Sequence, residues 1–442
     1  MRSAPLVRAG EVTFWRIETH VVRPKARRAF QGERELAHLV ESNARASRCP
    51  AATSSVPRVR EMAKTVESKR WAGVEGGGTT WVVAVAEGEP DRIVERAEFS
   101  TTTPRETLAM VRDWLDERAA ERPFDGLGIA TFGPVDLDPT SSTYGFITHS
   151  PKPGWADVNV LGFLTANLPR DLPVGFDTDV NAPAMAEFAA MKRDAEAAAA
   201  EADDADVDDD TPLPDPTEGI TNLAYVTVGT GVGVGLVCNN QPVHGLSHPE
   251  AGHIRVARLH SDGLPGEPGA FPGVCAYHGD CIEGMAGAAA IAARCGCKVS
   301  ELVAVVDSHP AWDAAAHYVA GLCATLVMVA SPQRIVLGGG VLQRKTLIAK
   351  IRAHLKKQLG GYVRHDFVTS KRGLVEFVAP SRWGNDAGIV GALTLGERAS
   401  GAAPRRRRKT WKSRVAHFMV GIFSAFTVVK VVNGKITRVR RV

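Results

Sequence analysis

The chain has 442 residues, of which 44% are hydrophobic and 23% are charged, and its formal net charge is +4. This composition is that of a soluble globular protein, and the length leaves room for two or more domains with sizeable cores. The charge is small and its basic excess lies largely in the terminal segments, so no nucleic-acid surface is implied for the body of the chain. Seven cysteines in so long a chain form no disulfide framework. They favour thiols that bind metal in a reducing compartment, and we expect a cytoplasmic protein.

Residues 1–69 differ from the middle of the chain, because they are rich in Arg and Ala and show few apolar periodicities. A transit peptide would direct the protein to an organelle, but acids such as Glu11, Glu18 and Glu33 fit that class of peptide poorly. We expect an extension that is disordered or targeting. A translation start at Met62 is the other hypothesis.

Two further segments differ in composition from a folded core. Residues 191–218 are acidic and rich in Ala and Pro, which predicts a surface insertion loop. Residues 399–442 form a tail in which five basic residues, 405–409, precede an apolar stretch of fifteen residues. That stretch is shorter than the roughly 20 residues needed to span a bilayer. We expect no membrane role for the tail, and a peripheral membrane contact is the alternative.

Between these segments, apolar runs alternate with helical periodicities. The runs predict strands over residues 81–85, 126–130, 223–228, 235–237 and 334–337. Ala-rich faces predict helices over residues 106–121, 287–294 and 312–330. Strands and helices mixed in two halves predict an α/β protein with a cleft between two lobes.

Three glycine-rich turns border the predicted strands, and glycine there lets backbone N–H groups approach an anion closely. The expected phosphate-binding residues are Gly76, Gly77, Gly78, Thr79 and Thr80 in the first turn, Thr230, Gly231 and Gly233 in the second, and Gly338, Gly339 and Gly340 in the third. A single turn of this kind is usually a plain hairpin, whereas the first two both carry threonine and can hold a polyphosphate from both lobes. Neither of them is a Walker A loop or a dinucleotide fingerprint, because no Gly-Lys-Ser/Thr follows and each leads into a strand.

Residues 248–283 contain a cluster of metal-ligand residue types. The predicted ligands are His253, Cys275, His278 and Cys281. Two thiolates and two imidazoles suit a closed tetrahedral Zn²⁺ site, and one tight loop can present the last three together. Lower-ranked alternatives are His248, His260, Cys295 and Cys297. Glu250 and Glu283 bracket the ligands, which indicates a rigid wall for a polar ligand.

Eight motifs follow one another along the chain: EGGGT from residue 75, TFGP from 131, THSPKPGW from 148, DTDVN from 177, TVGTGVGVG from 227, HPEAGH from 248, CAYHGDCIEG from 275 and LGGGV from 337. Taken together and in this order, they resemble the motifs of the ROK family of sugar kinases, and within it the zinc-containing fructokinase branch. The likeness covers residues 70–398 and leaves out both ends and the acidic insertion. It implies the actin-like ATPase fold, with two RNase H-like lobes, a cleft in which ATP and sugar meet, and a homodimer.

The resemblance also implies the division of the chain. The N-terminal lobe would span residues 70–181 and carry the first phosphate hairpin. The C-terminal lobe would span residues 182–383 and carry the acidic insertion, the second hairpin and the zinc loop. A closing helix over residues 384–398 would pack on the N-terminal lobe.

Roles for single residues follow from the same resemblance. The D-x-N pattern of the family makes Asp179 the general base that accepts the proton of the attacking sugar hydroxyl. Asp177, two residues away, is the competing candidate, and a simple helix cap is the structural alternative. The implied substrate-binding residues are Gly133, Asn181, Glu250 and Glu283. A carboxylate accepts two hydroxyl hydrogens at once, which suits a polyol.

Two departures from the family pattern concern the phosphate contacts. Glu75 stands where many sugar kinases have Asp, which fits the fructokinase branch, and we expect it to orient Mg²⁺ through water. Thr80 stands where Lys is common. We therefore expect an ATP- and Mg²⁺-dependent hexose kinase that phosphorylates the 6-hydroxyl of D-fructose.

Two alternatives to this function remain. The nearer one is a kinase for mannose or glucose, which the sugar-facing residues do not separate from fructose. The other is a ROK-type sugar-sensing regulator without kinase activity. Such a regulator needs a helix-turn-helix ahead of the body, and residues 1–70 show no pair of amphipathic helices around a glycine turn.

Overall fold

The computed structural model describes residues 68–203, 219–401, 430–432 and 435–437. The predictions for residues 1–67, for residues 204–218 of the acidic tract and for most of the tail concern segments outside the described residues. Lys430–Val432 and Lys435–Thr437 pair as an antiparallel hairpin within the tail.

The N-terminal lobe is built on a five-stranded mixed sheet with the strand order β3-β2-β1-β4-β7. The two central strands, β1 and β4, pair in parallel and are almost wholly buried, which explains their apolar sequences. The elements of this lobe are β1 Arg70–Gly76, β2 Thr80–Glu87, β3 Ile93–Ser100, α1 Pro104–Glu121, β4 Gly126–Thr131, β5 Phe146–Ile147, β6 Val158–Asn159, α2 Val160–Leu164 and β7 Val174–Thr178.

The C-terminal lobe repeats this plan, with the strand order β10-β9-β8-β11-β12. Its elements after the linking helix α3 (Asn181–Asp203) are β8 Leu223–Val228, β9 Val232–Cys238, β10 Gln241–Pro242, α4 Ile282–Ala286, α5 Ala288–Cys295, α6 Pro310–Ala330, β11 Arg334–Gly338, α7 Lys345–Gln358, α8 Asp366–Thr369, α9 Lys371–Phe377 and β12 Val378–Pro380. The chain then enters α10, Ala387–Gly401. In each sheet an antiparallel hairpin precedes parallel strands, so the α/β fold with two similar lobes is confirmed.

The predicted helices agree with α1, α5 and α6 to within two residues at each end. α1 begins where it does because the Thr103 hydroxyl accepts a hydrogen bond from the Glu106 N–H and Pro104 occupies the first turn. α6 is long and apolar enough to cross a membrane by length and composition alone, but most of it is buried in the core of the C-terminal lobe. α6 is therefore the core helix of this lobe.

The prediction of a loop over residues 191–218 is wrong for its first part. α3 extends to Asp203 and thus includes residues 191–203 of the acidic tract. These residues are mostly Ala, Glu, Lys and Met, which have high intrinsic helix propensity and need no buried face to continue a helix that is already nucleated.

Glycines bring α10 into direct contact with the sheet of the N-terminal lobe. A Cβ atom at Gly128 of β4 would lie 1.7 Å from the Ala392 carbonyl oxygen, and one at Gly126 would lie 2.3 Å from the Gly396 carbonyl oxygen. Beside them, a Cβ at Gly175 of β7 would lie 2.6 Å from the Leu395 carbonyl oxygen. Only glycine fits at three neighbouring positions of this sheet, because the helix backbone itself occupies the space.

We predict that Gly128→Ala lowers the free energy of unfolding by at least about 2 kcal/mol, since the added methyl group overpacks a rigid helix–sheet contact. Denaturant unfolding at fixed pH measures this change. Gly245→Ala is the matched control, because no atom lies within 4 Å of a Cβ at that position. Equal midpoints for the two variants would contradict the packing described for α10.

Candidate active site

Asp179 lies in the turn between the last strand of one lobe and the helix that leads to the other. β7 ends at Thr178 and α3 begins at Asn181. The Asp179 N–H donates to the Thr131 carbonyl oxygen at 3.0 Å, which ties this turn to the end of the neighbouring strand β4. The Asp179 side chain borders a cavity of about 610 Å³ between the lobes, a size typical of small-molecule sites.

The structure separates Asp179 from its competitor Asp177. Asp177 is buried and lies outside the wall of the cavity. Its Oδ1 accepts hydrogen bonds from the Thr178 N–H and from Asn181 Nδ2, both at 2.8 Å, and its Oδ2 lies 2.8 Å from His244 Nε2. These contacts occupy both oxygens of Asp177. Of the two acids, only Asp179 faces the space where a substrate can bind.

Asn181 is placed differently from the predicted sugar contact. Its side chain is fully buried, donates to Asp177 and lies outside the cavity wall. Its backbone N–H donates to Thr178 Oγ1 at 3.0 Å, so Thr178 caps α3. Asn181 therefore supports the turn that carries Asp179, and a direct contact with the sugar is not supported.

Three acids in or near the cleft have raised pKa values. Burial raises the pKa of Asp179 to about 6. Burial, followed by the charges of Asp179 and Glu283, raises the pKa of Glu250 to about 7. Burial and the charge of Asp179 likewise raise the pKa of Glu75 to about 7. Carboxylates in this state attract hydroxyl donors and cations, because either one replaces the lost hydration.

Glu283 joins this cavity to the second glycine hairpin. Its Oε2 accepts a hydrogen bond from the Val232 N–H at 3.1 Å. A Cβ atom at Gly231 would lie 2.3 Å from the same oxygen, so glycine at the tip of the hairpin lets the Glu283 carboxylate approach the backbone. Glu283 borders the inter-lobe cavity as well, and so do Gly133, Gly233 and Glu250. The hairpin thus forms part of one wall of the cavity.

On the other side of that hairpin lies a second cavity, of about 600 Å³. Gly229 and Thr230 of the second glycine turn and Gly340 of the third border it together, which brings two of the three predicted phosphate turns to one place. The first turn, residues 76–80, lies at the end of β1 in the other lobe and forms no part of this wall.

An apolar surface that no motif predicts forms the rest of the wall of the second cavity. It consists of Ala288, Val299, Leu302, Val303, Trp312 and Val341. Arg344 borders the same cavity and lies over the Trp312 ring at 4.3 Å. These residues come from separated segments and carry no polar motif, so only their proximity in the fold reveals them.

The four predicted metal ligands form one cluster. Their ligand atoms all lie within 4.8 Å of one another. His253 Nδ1 is 3.7 Å from Cys275 Sγ and 3.6 Å from Cys281 Sγ, and His278 Nδ1 is 3.8 Å from Cys275 Sγ. Tetrahedral zinc with Zn–S of about 2.3 Å and Zn–N of about 2.1 Å has an N···S edge of about 3.6 Å. The donor set and its spacing therefore fit Zn²⁺.

The cluster connects the segments that carry the two sugar-side acids. His253 ends a 3₁₀ turn that begins directly after Glu250, and Cys281 directly precedes α4, in which Glu283 lies. The alternative ligands lie outside the cluster: His248, for example, is buried and accepts a hydrogen bond from the Val135 N–H through Nε2 at 3.2 Å. Burial lowers the pKa of His248, which keeps the ring neutral for this role.

Other residues of the quoted motifs, to which the sequence assigned no role, also border the inter-lobe cavity. They include Pro134, His149, Pro151 and Val180 of the N-terminal lobe and Val234 and Tyr277 of the C-terminal lobe. His149 and Pro151 belong to the segment quoted above for its resemblance, but nothing in their residue types assigned them a role.

Comparison with known proteins agrees with this geometry. The profile of the ROK family matches residues 71–199 and 215–399. A fructokinase from Lactococcus lactis subsp. cremoris is 35% identical over 293 residues, which are 66% of this chain and 86% of that protein. A fructokinase from Pediococcus pentosaceus is 33% identical over 327 residues, which are 74% of this chain and 97% of that protein.

Solved structures show the same fold. The ROK hexokinase from Thermus thermophilus superimposes with a TM-score of 0.53 at 22% identity, covering 76% of this chain and 100% of that one. The expected actin-like ATPase fold is thereby confirmed. The chain belongs to the ROK family, as a sugar kinase of the fructokinase type.

Proposed function

We propose that this ATP-dependent hexose kinase transfers the γ-phosphoryl group of ATP to the 6-hydroxyl of D-fructose, with Asp179 as the general base. One observation carries the proposal: Asp179 is the acid of the DTDVN turn that faces the inter-lobe cavity, and the glycine hairpin separates that cavity from a second one bordered by two phosphate turns. Sugar and nucleotide can then meet at the hairpin.

Asp179 has the properties required of the base. As the sugar oxygen bonds to the γ-phosphorus and ADP leaves, the hydroxyl proton passes to the Asp179 carboxylate. A pKa of about 6 leaves this carboxylate charged at neutral pH and makes it a better proton acceptor than an ordinary aspartate. The Asp179 N–H bond to Thr131 holds the turn in place, so positioning accompanies basicity.

The opposite side of the cavity suits a polyol. Glu250 and Glu283 offer carboxylate oxygens, each able to accept sugar hydroxyl hydrogens. The Glu250 side chain is 47% exposed and its Oε1 lies 3.5 Å from His248 Nδ1, so it retains lone pairs for sugar hydroxyl donors at the edge of the cavity. Glu283 keeps its bond from the Val232 N–H, and a polyol can donate to its remaining lone pairs, whereas an apolar ligand cannot.

The second cavity suits the nucleotide. Its apolar wall offers Val299, Leu302 and Val303 to a flat base, while Gly229, Thr230 and Gly340 bring the second and third glycine turns to its edge, where phosphates would bind. The first hairpin, residues 76–80, would meet the phosphates from the N-terminal lobe. A ROK family glucokinase from Streptomyces griseus has been solved with glucose and AMPPNP, which supports ATP as the phosphoryl donor here, and these turns are the segments that would hold it.

Two metal ions belong to the proposal. Mg²⁺ would neutralise charge on the triphosphate, and Glu75, at the end of β1 beside the first hairpin, would orient it through water. Zn²⁺ would be held by His253, Cys275, His278 and Cys281 and would have a structural role, since four protein ligands leave no open position. Its effect on the reaction is indirect, because the cluster fixes the segments that carry Glu250 and Glu283.

Asp179→Asn is expected to lower kcat by at least about 10³-fold, because the variant cannot accept the hydroxyl proton. Sugar affinity, measured by calorimetry, should change less than about threefold. Asp177→Asn is the matched comparison and should lose far less activity, because its acid supports the turn without facing the cavity. A kcat close to that of the wild type in Asp179→Asn would exclude this base.

The same variant should be more stable than the wild type at pH 8. The raised pKa of Asp179 means that its charged form destabilises the native state above about pH 6, and that this cost disappears as the pH falls. Replacement by Asn removes the charge and should raise the free energy of unfolding by about 1–3 kcal/mol. Denaturant unfolding at pH 8 measures the free energy of unfolding of both proteins. A lower value for Asp179→Asn would show that the Asp179 charge does not destabilise the native state.

kcat/KM for the sugar should fall as the pH is lowered. Asp179 must be deprotonated in the free enzyme, and Glu250, whose pKa is about 7, binds the sugar as a carboxylate, so kcat/KM is expected to begin to fall near pH 7 and to fall more steeply below about pH 6. Initial rates between pH 5 and 8, with ATP saturating, measure this fall. A flat profile over that range would contradict Asp179 as the base.

Purified protein should contain one Zn²⁺ per chain, and its removal by a chelator should lower the melting temperature and raise KM for the sugar more than KM for ATP. Cys281→Ser should lose the metal, as measured by atomic emission. Cys297→Ser is the matched control, because Cys297 is a half-buried thiol outside the cluster. Retention of zinc in Cys281→Ser and its loss in Cys297→Ser would overturn the ligand assignment.

A further inference from the structure

Tyr277 occupies an unusual position for a large aromatic side chain. It borders the inter-lobe cavity, yet 65% of its surface is exposed. The side chain makes no hydrogen bond within the described residues, and its only ring neighbour there is His278, at 6.2 Å between ring centroids. Most of the ring is therefore free to contact a molecule in the mouth of the cavity.

The backbone beneath Tyr277 is rigid. Tyr277 lies within a tight turn in which the Cys275 N–H donates to the Gly279 carbonyl oxygen at 3.2 Å and the Gly279 N–H donates back to the Cys275 carbonyl oxygen at 2.9 Å. Gly279 has a φ of 63°, which favours glycine at the end of this turn. Two residues of the metal-ligand cluster, Cys275 and His278, flank the tyrosine on either side. The exposed ring is thus carried by a hydrogen-bonded turn and does not belong to a loose loop.

The wall that faces Tyr277 belongs to the other lobe and is equally well anchored. His149 and Pro151 border the same cavity. Their segment ends at Trp155, which is fully buried and stacks on Trp81 at 5.4 Å between ring centroids. Lys152 of this segment donates to the Gly78 carbonyl oxygen, so the wall is also connected to the first phosphate hairpin.

We infer that Tyr277 is a sugar-positioning residue that covers the bound sugar at the mouth of the cavity, with its ring against the apolar C–H face of the sugar and opposite the wall of His149 and Pro151. This inference rests on the proposed function, because it assigns a role within the same sugar cavity. Glu250 and Glu283 bind hydroxyl groups from one side, and a flat apolar ring complements the carbon skeleton that these acids leave uncovered.

Covering the sugar has two consequences for the reaction. The ring adds contact with the sugar before and during phosphoryl transfer, so its loss should weaken sugar binding more than it slows the chemical step. It also narrows the path by which water reaches the γ-phosphate, so its loss should allow ATP hydrolysis without sugar phosphorylation.

The test compares Tyr277→Ala and Tyr277→Phe in the full chain with its metal bound. Tyr277→Ala should raise KM and the calorimetric Kd for D-fructose about tenfold or more, with kcat changed less than threefold, and should release more ADP than sugar phosphate. Tyr277→Phe retains the ring and should stay within about twofold of the wild type. Leu246→Ala is the control, since Leu246 is a fully exposed apolar side chain outside this cavity wall and should leave every value unchanged.

Several outcomes distinguish this inference from simpler explanations. Wild-type KM, Kd and coupling in Tyr277→Ala would overturn it, and so would a Tyr277→Phe variant as impaired as Tyr277→Ala. Zinc content and melting temperature should match the wild type. If the alanine variant loses its metal, Tyr277→Leu replaces it and should show the same rise in Kd, whereas a wild-type Kd there would overturn the inference. A wild-type protein that binds fructose without phosphorylating it would contradict the proposed function and leave the Tyr277 comparison of Kd values valid.

Discussion

Three acids with raised pKa values constrain the structure around the cleft. Asp179 and Glu250 border the cavity between the lobes, and Glu75 lies in β1 beside the first hairpin. Burial raises the pKa of each, with repulsion from Asp179 adding to the effect on the other two. Such a group of acids opposes folding at neutral pH. The core of each lobe, the close contact of α10 with the first sheet and the metal-ligand cluster offset that cost. The same buried carboxylate charge destabilises the free protein and makes these acids good acceptors of protons and of hydrogen bonds from substrate hydroxyl groups.

The sequence predicts those parts of the site whose residues lie close together along the chain. The four metal ligands lie within 29 residues, and three of them within one tight turn, so residue type and spacing are enough to identify them. The turn with Asp179 directly follows β7 and precedes α3, so the acid lies at the end of a strand, where parallel sheets bind their ligands. The α10 contact is predictable only in part, because small residues are visible in the sequence while their partners in β4 and β7 are not.

The remaining features depend on contacts between distant segments. Asn181 and Asp177 look equally able to face a substrate, and only the bond from Asp177 to His244, 67 residues away, shows that this pair is turned away from the cavity. The apolar wall of the second cavity combines residues from several helices without a motif. Low apolar content predicts a loop over the whole acidic tract. The first part of the tract is helical instead, because high helix propensity suffices to extend α3.

The identity of the phosphorylated sugar tests the central claim most directly. Full-length protein would be incubated with Mg²⁺-ATP and equal concentrations of D-fructose, D-mannose and D-glucose, and each sugar phosphate would be quantified by chromatography and its phosphorylated position assigned by ³¹P NMR. The account predicts that fructose 6-phosphate is the principal product and that ADP forms in equal amount. A principal product from mannose or glucose would contradict the fructose assignment, and the absence of any sugar phosphate would contradict the role given to the acids of the cleft.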